Sequence, residues 1–443
     1  MAGCELELDD IQAGVLRPRP TPYAATYVIF RIDERGAGRD LICRLSGVVA
    51  SAADPTNAGR DTWVSVALSF HGLRALGVPQ ESLDTFSPEF QQGMANRAKV
   101  LRDDGESGPE RWEKPLGWRD VHVVMVAVAP SKEHLERSLR RARAVYEGLH
   151  GVTAIWRQDC HALPGDREAF GFRDGISHPA IEGSGIPGTN PDERPLKAGE
   201  FVLGYPDEMG ETPFVPQPDV LGRNGSYVAF RKLHQRVAAF RQYLKANSTT
   251  SEQEEWIAAK MMGRWRSGAP LALCPLHDNP GLGADPHRNN GFLFKQEDPI
   301  GYRTPCGSHI RRMNPRDGDV AGVVRIHRMI RRGASYGPLL PDGVLEDDGL
   351  DRGLMFAFVG AHLGRQFEFV QSEWMNDASF FGGPAGDADP AARSLEGAGT
   401  FDIPNRPLRV RLRGLPNFVV NRGGEYCFLP GLRALRWLGN LNT

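Results

Sequence analysis

Three runs of β-branched and aromatic residues, Ala25 to Ile32, Thr62 to Phe70 and Val121 to Val128, constrain the first third of this chain most strongly. Their partial alternation predicts strands, because successive side chains of a strand point to opposite faces. From Ser131 to His150, Leu135, Leu139, Ala142, Val145 and Leu149 recur every three or four residues behind a serine able to cap a helix. That spacing predicts an amphipathic helix. Strands and helices mixed in this way imply an α+β sheet with helices packed on one face.

The stretch from Leu163 to Gly225 is dense in Gly, Pro and polar residues, with one strand-like interruption at Glu200 to Tyr205, and reads as long ordered loops plus a junction. Beyond it, Tyr227 to Ala246 and Glu252 to Met262 read as helices, the first introduced by a strand-like SYVAF. Arg352 to Gly360 reads as a strand and Gly364 to Asn376 as a helix. The second half repeats the style of the first without a residue-level repeat, so two similar α+β units meeting near residue 220 are expected. Phe381 to Arg406 is rich in Gly, Ala, Asp and Pro with no apolar period, and reads as a surface excursion without chemistry.

Charge narrows the function. The 443 residues hold 53 basic and 55 acidic side chains for a net of −2, which lacks the basic footprint of a nucleic-acid binder. Of the 53 basic residues 45 are Arg, which leaves many rigid, permanently charged forks available for anions. No apolar run of about 18 residues occurs and Met1 to Asp10 is acidic, so neither a membrane span nor a leader is visible. Six scattered cysteines suit a reducing compartment, and a cytoplasmic location is the expectation.

Four constellations could carry chemistry. Cys274-Pro-Leu-His277 and Cys306-Gly-Ser-His309 are two C-x-x-H units that could in principle make a zinc site, although a long segment separates them. Gly171-Phe172-Arg173-Asp174-Gly175 brackets an acid with glycines, which either presents Asp174 into a pocket or simply makes a turn. Ser308 to Arg316 (SHIRRMNPR) sets His309 among arginines: a metal ligand beside groups for an anionic cofactor, or a helix-end histidine beside solvated arginines. Arg325 to Gly333 (RIHRMIRRG) alternates basic and apolar residues, as a strand with one buried face would.

Taken in order, these segments resemble the dye-decolorising peroxidases. The resemblance runs from DDIQAGVL at Asp9 through GFRDGIS, GEFVLGY, NGSYVAFRKL, GRWRSGAPL, GSHIRRMNPR and MIRRGASYG to GRQFEFVQSEW, ending near residue 430. It implies an α+β fold of two ferredoxin-like halves, 1–220 and 221–443, with antiparallel sheets, packed helices and haem b held mainly by the second half. It further implies His309 as the iron ligand, Asp174 as the acid and base on the peroxide side, Arg331 as the arginine over the iron, and Arg316 on a haem propionate. Gly175 and Ile176 would line the haem edge, and Phe356 and Phe358, two apart in LMFAF, either wall the peroxide pocket or pack in the core.

The resemblance implies a peroxidase that uses hydrogen peroxide to oxidise dyes, phenolics or related small aromatic reductants, with no nucleic-acid or membrane partner and a homo-oligomer left open. Its alternative is a haem protein of the same fold that releases haem iron, oxidises a dedicated natural product or binds haem without turnover. Three positions depart from the family pattern: His362 stands where an acid is frequent, His178 where glutamine is, and Thr304-Pro305-Cys306 where Cys-Pro-x is.

Overall fold

The structure is a computed structural model that describes residues 5–53, 62–190, 193–318, 322–377, 379, 388–395 and 397–441. The first half supplies β1 (Ala24–Ile32), α1 (Arg35–Ser46), β2 (Trp63–Leu68), β3 (Val123–Ala129), α2 (Lys132–Tyr146) and β4 (Val152–His161). The second supplies β5 (Ser226–Gln235), α3 (Val237–Ala246), α4 (Ser251–Met262), α5 (His309–Met313), β6 (Ile330–Arg331), β7 (Ala334–Tyr336) and β8 (Gly353–Gly360). It ends with β9 (Gly399–Ile403), β10 (Val410–Leu415), β11 (Val419–Leu429) and α6 (Leu432–Gly439).

The main sheet runs β4-β1-β3-β2-β11-β5-β8-β6, with β7 also pairing to β8. Each half thus lays down the same pattern, its last strand beside its first and its third beside its second, which is the ferredoxin-like arrangement. All pairings are antiparallel, and the seam between halves rests on the single register pair Leu68 and Phe428.

Pleating sorts the core. From β1, Val28, Phe30 and Ile32 pack with Leu41, Ile42 and Leu45 of α1 and Leu135 and Leu139 of α2. The intervening Tyr27 and Ile29 join Val124, Val228, Ala357 and Cys427 on the other face, where strands of both halves enclose an apolar cavity of about 70 Å³. Burial on both faces explains why alternation along β1 is only partial. Ser131 caps α2 by accepting a 3.3 Å hydrogen bond from the His134 backbone N–H.

Several local expectations change. Tyr227 to Gln235 is strand, not helix, because this segment lies between β11 and β8, where ladder bonding on both sides overrides helical spacing. Glu200 to Tyr205 is no strand: its short apolar run packs as turns after a 3₁₀ turn at Ala198–Glu200. Only Ile330 and Arg331 of the basic segment are strand, and a 3₁₀ turn occupies Val324–His327. Gly364 to Asn376 is helical, but as two π-type stretches, Leu363–Glu368 and Val370–Met375. No helix among the described residues is long and apolar enough to cross a membrane.

Candidate active site

A cavity of about 560 Å³ opens among the loop carrying Asp174, helix α5, strand β6 and strand β8. Its wall includes Asp174, Gly175, Ile176, His309, Arg316, Arg331 and Phe356, so seven of the eight residues singled out above come together. Phe358 does not: it is fully buried in the core, 5.8 Å between ring centroids from Phe367. Leu354 and Phe356 share its face of β8, but Phe358 lies one step further along and under the π-type helix.

Half-buried Glu168 shapes the Asp174 loop, its carboxylate accepting 2.9 Å hydrogen bonds from the backbone N–H groups of Phe170 and Phe172. The Asp174 N–H then donates to the Asp166 carbonyl, and Gly175 turns at φ +76°, where an L side chain would be strained. A Cβ at Gly175 would meet nothing closer than the Arg19 guanidinium at 3.8 Å, so the backbone there faces open cavity. Asp174 Oδ2 lies 2.8 Å from Arg19 Nη2. Burial pushes the Asp174 carboxyl up, but the charges of Arg19 and Arg331 and the Gly175 N–H outweigh it and hold the group below the usual aspartate value.

Arg331 pairs through β6 with Phe358 of β8, and its Nη2 donates to the Ile176 carbonyl at 2.7 Å. Burial lowers its guanidinium from the ordinary value, and burial brings Arg264, Arg316 and Arg332 down to about 9 each. These four line the same cavity (Arg264, Arg316, Arg331 and Arg332) and have no carboxylate within ion-pair distance among the described residues. Arg264 is buried and the other three are half-buried, and each donates to backbone carbonyls, which leaves their net positive charge facing the cavity as a setting for an anion.

His309 opens α5, and Ser308 fastens that turn by donating its hydroxyl to the Lys260 carbonyl of α4 at 2.5 Å. His309 Nδ1 lies 2.8 Å from Asp389 Oδ2, and Asp389 Oδ1 accepts 2.9 Å hydrogen bonds from the N–H groups of Ala391 and Ala392. Burial raises the Asp389 carboxyl, yet His309 and the Ala392 N–H bring it below its ordinary value. An ionised carboxylate only accepts, so Nδ1 serves as the donor to Asp389 and Nε2 is the ring nitrogen left to bind a metal.

Asp389 corrects the reading of Phe381 to Arg406 as a surface excursion without chemistry: it is fully buried against α5. Residues 381–387 of that stretch lie outside the described residues. His362, where the family frequently has an acid, is half-buried near Arg365 and Asp207 and is brought to about 4 by burial and the Arg365 charge. Arg311 and Arg312 are not solvated; each is 1% exposed and donates to protein carbonyls, Arg311 to Thr304 and Arg312 to Trp374. Among the described residues no three His, Cys, Asp or Glu side chains gather as a metal site, so the two C-x-x-H units do not form one.

A family profile described as the DyP dimeric alpha+beta barrel domain matches residues 11–155. The chain is 32% identical over 427 residues to the dye-decolorizing peroxidase msp1 of Mycetinis scorodonius, covering 90% of this chain and 79% of that one. The chain belongs to the dye-decolorising peroxidases. It is also 31% identical to the dye-decolorizing peroxidase of Mycena epipterygia, over 89% of this chain and 78% of the relative. A solved dye-decolorizing peroxidase in complex with 2,6-dimethoxyphenol superposes with a TM-score of 0.84 at 28% identity, covering 98% of this chain and all of that one.

Dye-decolorising peroxidases are haem b enzymes that consume hydrogen peroxide, and the cavity fits that cofactor. Haem b is a flat dianion with one metal: cavity-facing guanidiniums with no carboxylate in ion-pair distance suit its propionates, and an imidazole whose other nitrogen is engaged by Asp389 suits its iron. Arg19 and Asp389 are the site residues that reading the sequence missed. Neither sits in a motif, and each meets its partner only through the fold, 155 and 80 positions away.

Proposed function

We propose that this chain binds haem b between its Asp174 loop and its second half, 221–443, and turns over hydrogen peroxide with dyes, phenolics and similar aromatic reductants. The observation carrying this is one cavity whose wall holds an imidazole engaged by Asp389 through Nδ1, a carboxylate held ionised by guanidiniums, and further guanidiniums with no carboxylate in ion-pair distance among the described residues. The dimethoxyphenol complex of the solved relative supports a phenolic reductant.

His309 Nε2 would hold the iron, oriented by Asp389, and Arg316 would hold a propionate. Haem, when bound, supplies the electrons that cleave the peroxide O–O bond and then draws single electrons from the reductant. Asp174 would accept the proton of the inner peroxide oxygen and return it to the outer one, which leaves as water. Because its carboxyl is held ionised, it stays a base under mildly acidic conditions where a free histidine would already be charged. Arg331 would place fixed positive charge on the leaving oxygen as its negative charge develops. Phe356 and Ile176 would narrow the pocket so that bulky reductants stay away from the iron.

Purified protein should show a Soret band that changes on peroxide addition. His309→Ala should lose haem during purification or lose peroxide turnover at least a hundredfold, at the upper end of known ligand-shell effects and beyond, roughly 10- to 100-fold for supporting residues alone. A His309→Ala protein with native haem content and rate would overturn the assignment.

A further inference from the structure

We propose that Arg19 is a positioning residue of the peroxide reaction, reaching from the N-terminal segment into the cavity to hold the Asp174 carboxylate in place. This rests on the reading of Asp174 as the proton carrier.

Arg19 is braced on several sides. Nη2 meets Asp174 Oδ2 at 2.8 Å, Nη1 donates to the Gly333 carbonyl, and the guanidinium stands 4.0 Å from the Tyr23 ring centroid. The Tyr23 hydroxyl is itself fixed, accepting the Ser335 N–H at 2.7 Å. The backbone leading to Arg19 is tied to the same strand region, because Arg332 donates at 2.9 Å to the carbonyls of both Gly14 and Val15. The N-terminal segment is thus a strap across the β6 to β7 turn, and its charged end sits in the cavity wall.

The two guanidiniums near Asp174 divide the work. Arg331 spends Nη2 on the carbonyls of Ile176 and Ser177 and influences Asp174 through charge, whereas Arg19 supplies the hydrogen-bonded ion pair. With Oδ2 held by Arg19 the carboxylate has a fixed orientation in the cavity wall, while Arg331 remains available to the peroxide. The other ionisable groups influencing this corner are the acidic Glu168, Asp166 and Tyr23 and the basic His178, Arg328 and Arg332. Arg19 is the one of the basic groups named here that is hydrogen-bonded to the Asp174 carboxylate, so its removal favours the neutral form.

The test uses haem-loaded full chain carrying Arg19→Leu, Arg19→Lys, and Arg19→Leu combined with Asp174→Asn. Two rates are followed across pH by stopped-flow at the Soret band: the response to hydrogen peroxide, and the association of cyanide, which arrives as HCN and must hand its proton to the distal base. In Arg19→Leu the acid limb of both rates should move to higher pH, leaving them about tenfold slower in acid and closer to wild type at neutral pH, as expected for a base that loses an adjacent cation. Arg19→Lys should restore most of the limb. In the Asp174→Asn background, Arg19→Leu should change either rate by less than about twofold, since a residue acting through another has no effect once that other is gone.

Acid limbs unchanged in Arg19→Leu, or equal slowing with and without Asp174, would overturn the proposal. If Arg19→Leu does not load haem, Arg19→Gln carries the same comparison. A wild-type protein with a Soret band and no peroxide response would instead sink the peroxide reading, and cyanide association would still decide the role of Arg19.

Discussion

Asp174 and Asp389 stand in the same site with the same chemistry available to them and are treated in opposite ways. Both carboxyls are held below the ordinary aspartate value although burial pushes each upward. Asp389 is locked: its side chain has no exposure, one oxygen faces His309 Nδ1 and the other takes two backbone N–H groups. Asp174 keeps 28% exposure toward the cavity and is held ionised by guanidinium charge and the Gly175 N–H. A carboxylate meant to keep its charge is sealed among its partners; one meant to exchange a proton is kept charged by its neighbours and left exposed to the cavity.

If that contrast is right, the two positions must fail differently when made neutral. Asp174→Asn removes the proton acceptor but keeps the shape, so haem content and the Soret band should persist while the peroxide response falls roughly 100- to 10,000-fold, the range of general acid-base catalysis. Stopped-flow mixing with peroxide reads it. A variant within about threefold of wild type would erase the distinction drawn above.

How much of this arrangement could be read beforehand depends on where the partner lies. Asp174, His309 and Arg331 are legible because each is embedded in a short segment whose neighbours are themselves unusual: paired glycines, an arginine cluster, a basic alternation. Strands β1, β2, β3 and β8 and helices α2, α3 and α4 are legible from β-branched runs and helical spacing, the ferredoxin-like pairing of the halves only from the resemblance; β5 is legible as a strand only at SYVAF, and β4 and β11, which carry no comparable run, are not legible. Asp389 is invisible because a Gly- and Pro-rich stretch reads as solvent-facing until α5 is packed against it. The same holds for Arg311 and Arg312, whose charges suggest water although both donate to buried backbone carbonyls and Arg311 also pairs with Asp298. Phe356 and Phe358 share a face, and only the depth of the π-type helix separates cavity wall from core.

Asp389→Asn sharpens the comparison from the other side. The amide oxygen can still accept the Nδ1–H of His309, so the ring should stay oriented, but the charge that raises the ligand's basicity is gone. Loss of such a supporting partner costs roughly 10- to 100-fold in cofactor affinity or rate. Haem dissociation measured with an apo-acceptor protein should quicken, and the acid limb of the peroxide response, which belongs to Asp174, should stay where it is. An acid limb that moves in Asp389→Asn would mean the two carboxylates are not independent.

The smallest effect is in stability against pH. A carboxyl whose folded value lies below its unfolded value contributes stability that is fully present above the unfolded pKa and disappears as pH falls through the folded one. For Asp389 the unfolded reference is 3.8 and the folded value lies lower. The melting temperature of wild-type apoprotein should therefore exceed that of Asp389→Asn above about pH 5, and the margin should disappear as pH falls below about 4. Asp174→Asn has the same sign, but its partly exposed carboxylate contributes less, so its margin should be smaller at every pH. Measuring both margins on protein without haem keeps the comparison free of ligand stabilisation. If the Asp174 margin proved the larger, the open carboxylate would be the structural one, and the division of labour between the two aspartates would have to be reversed.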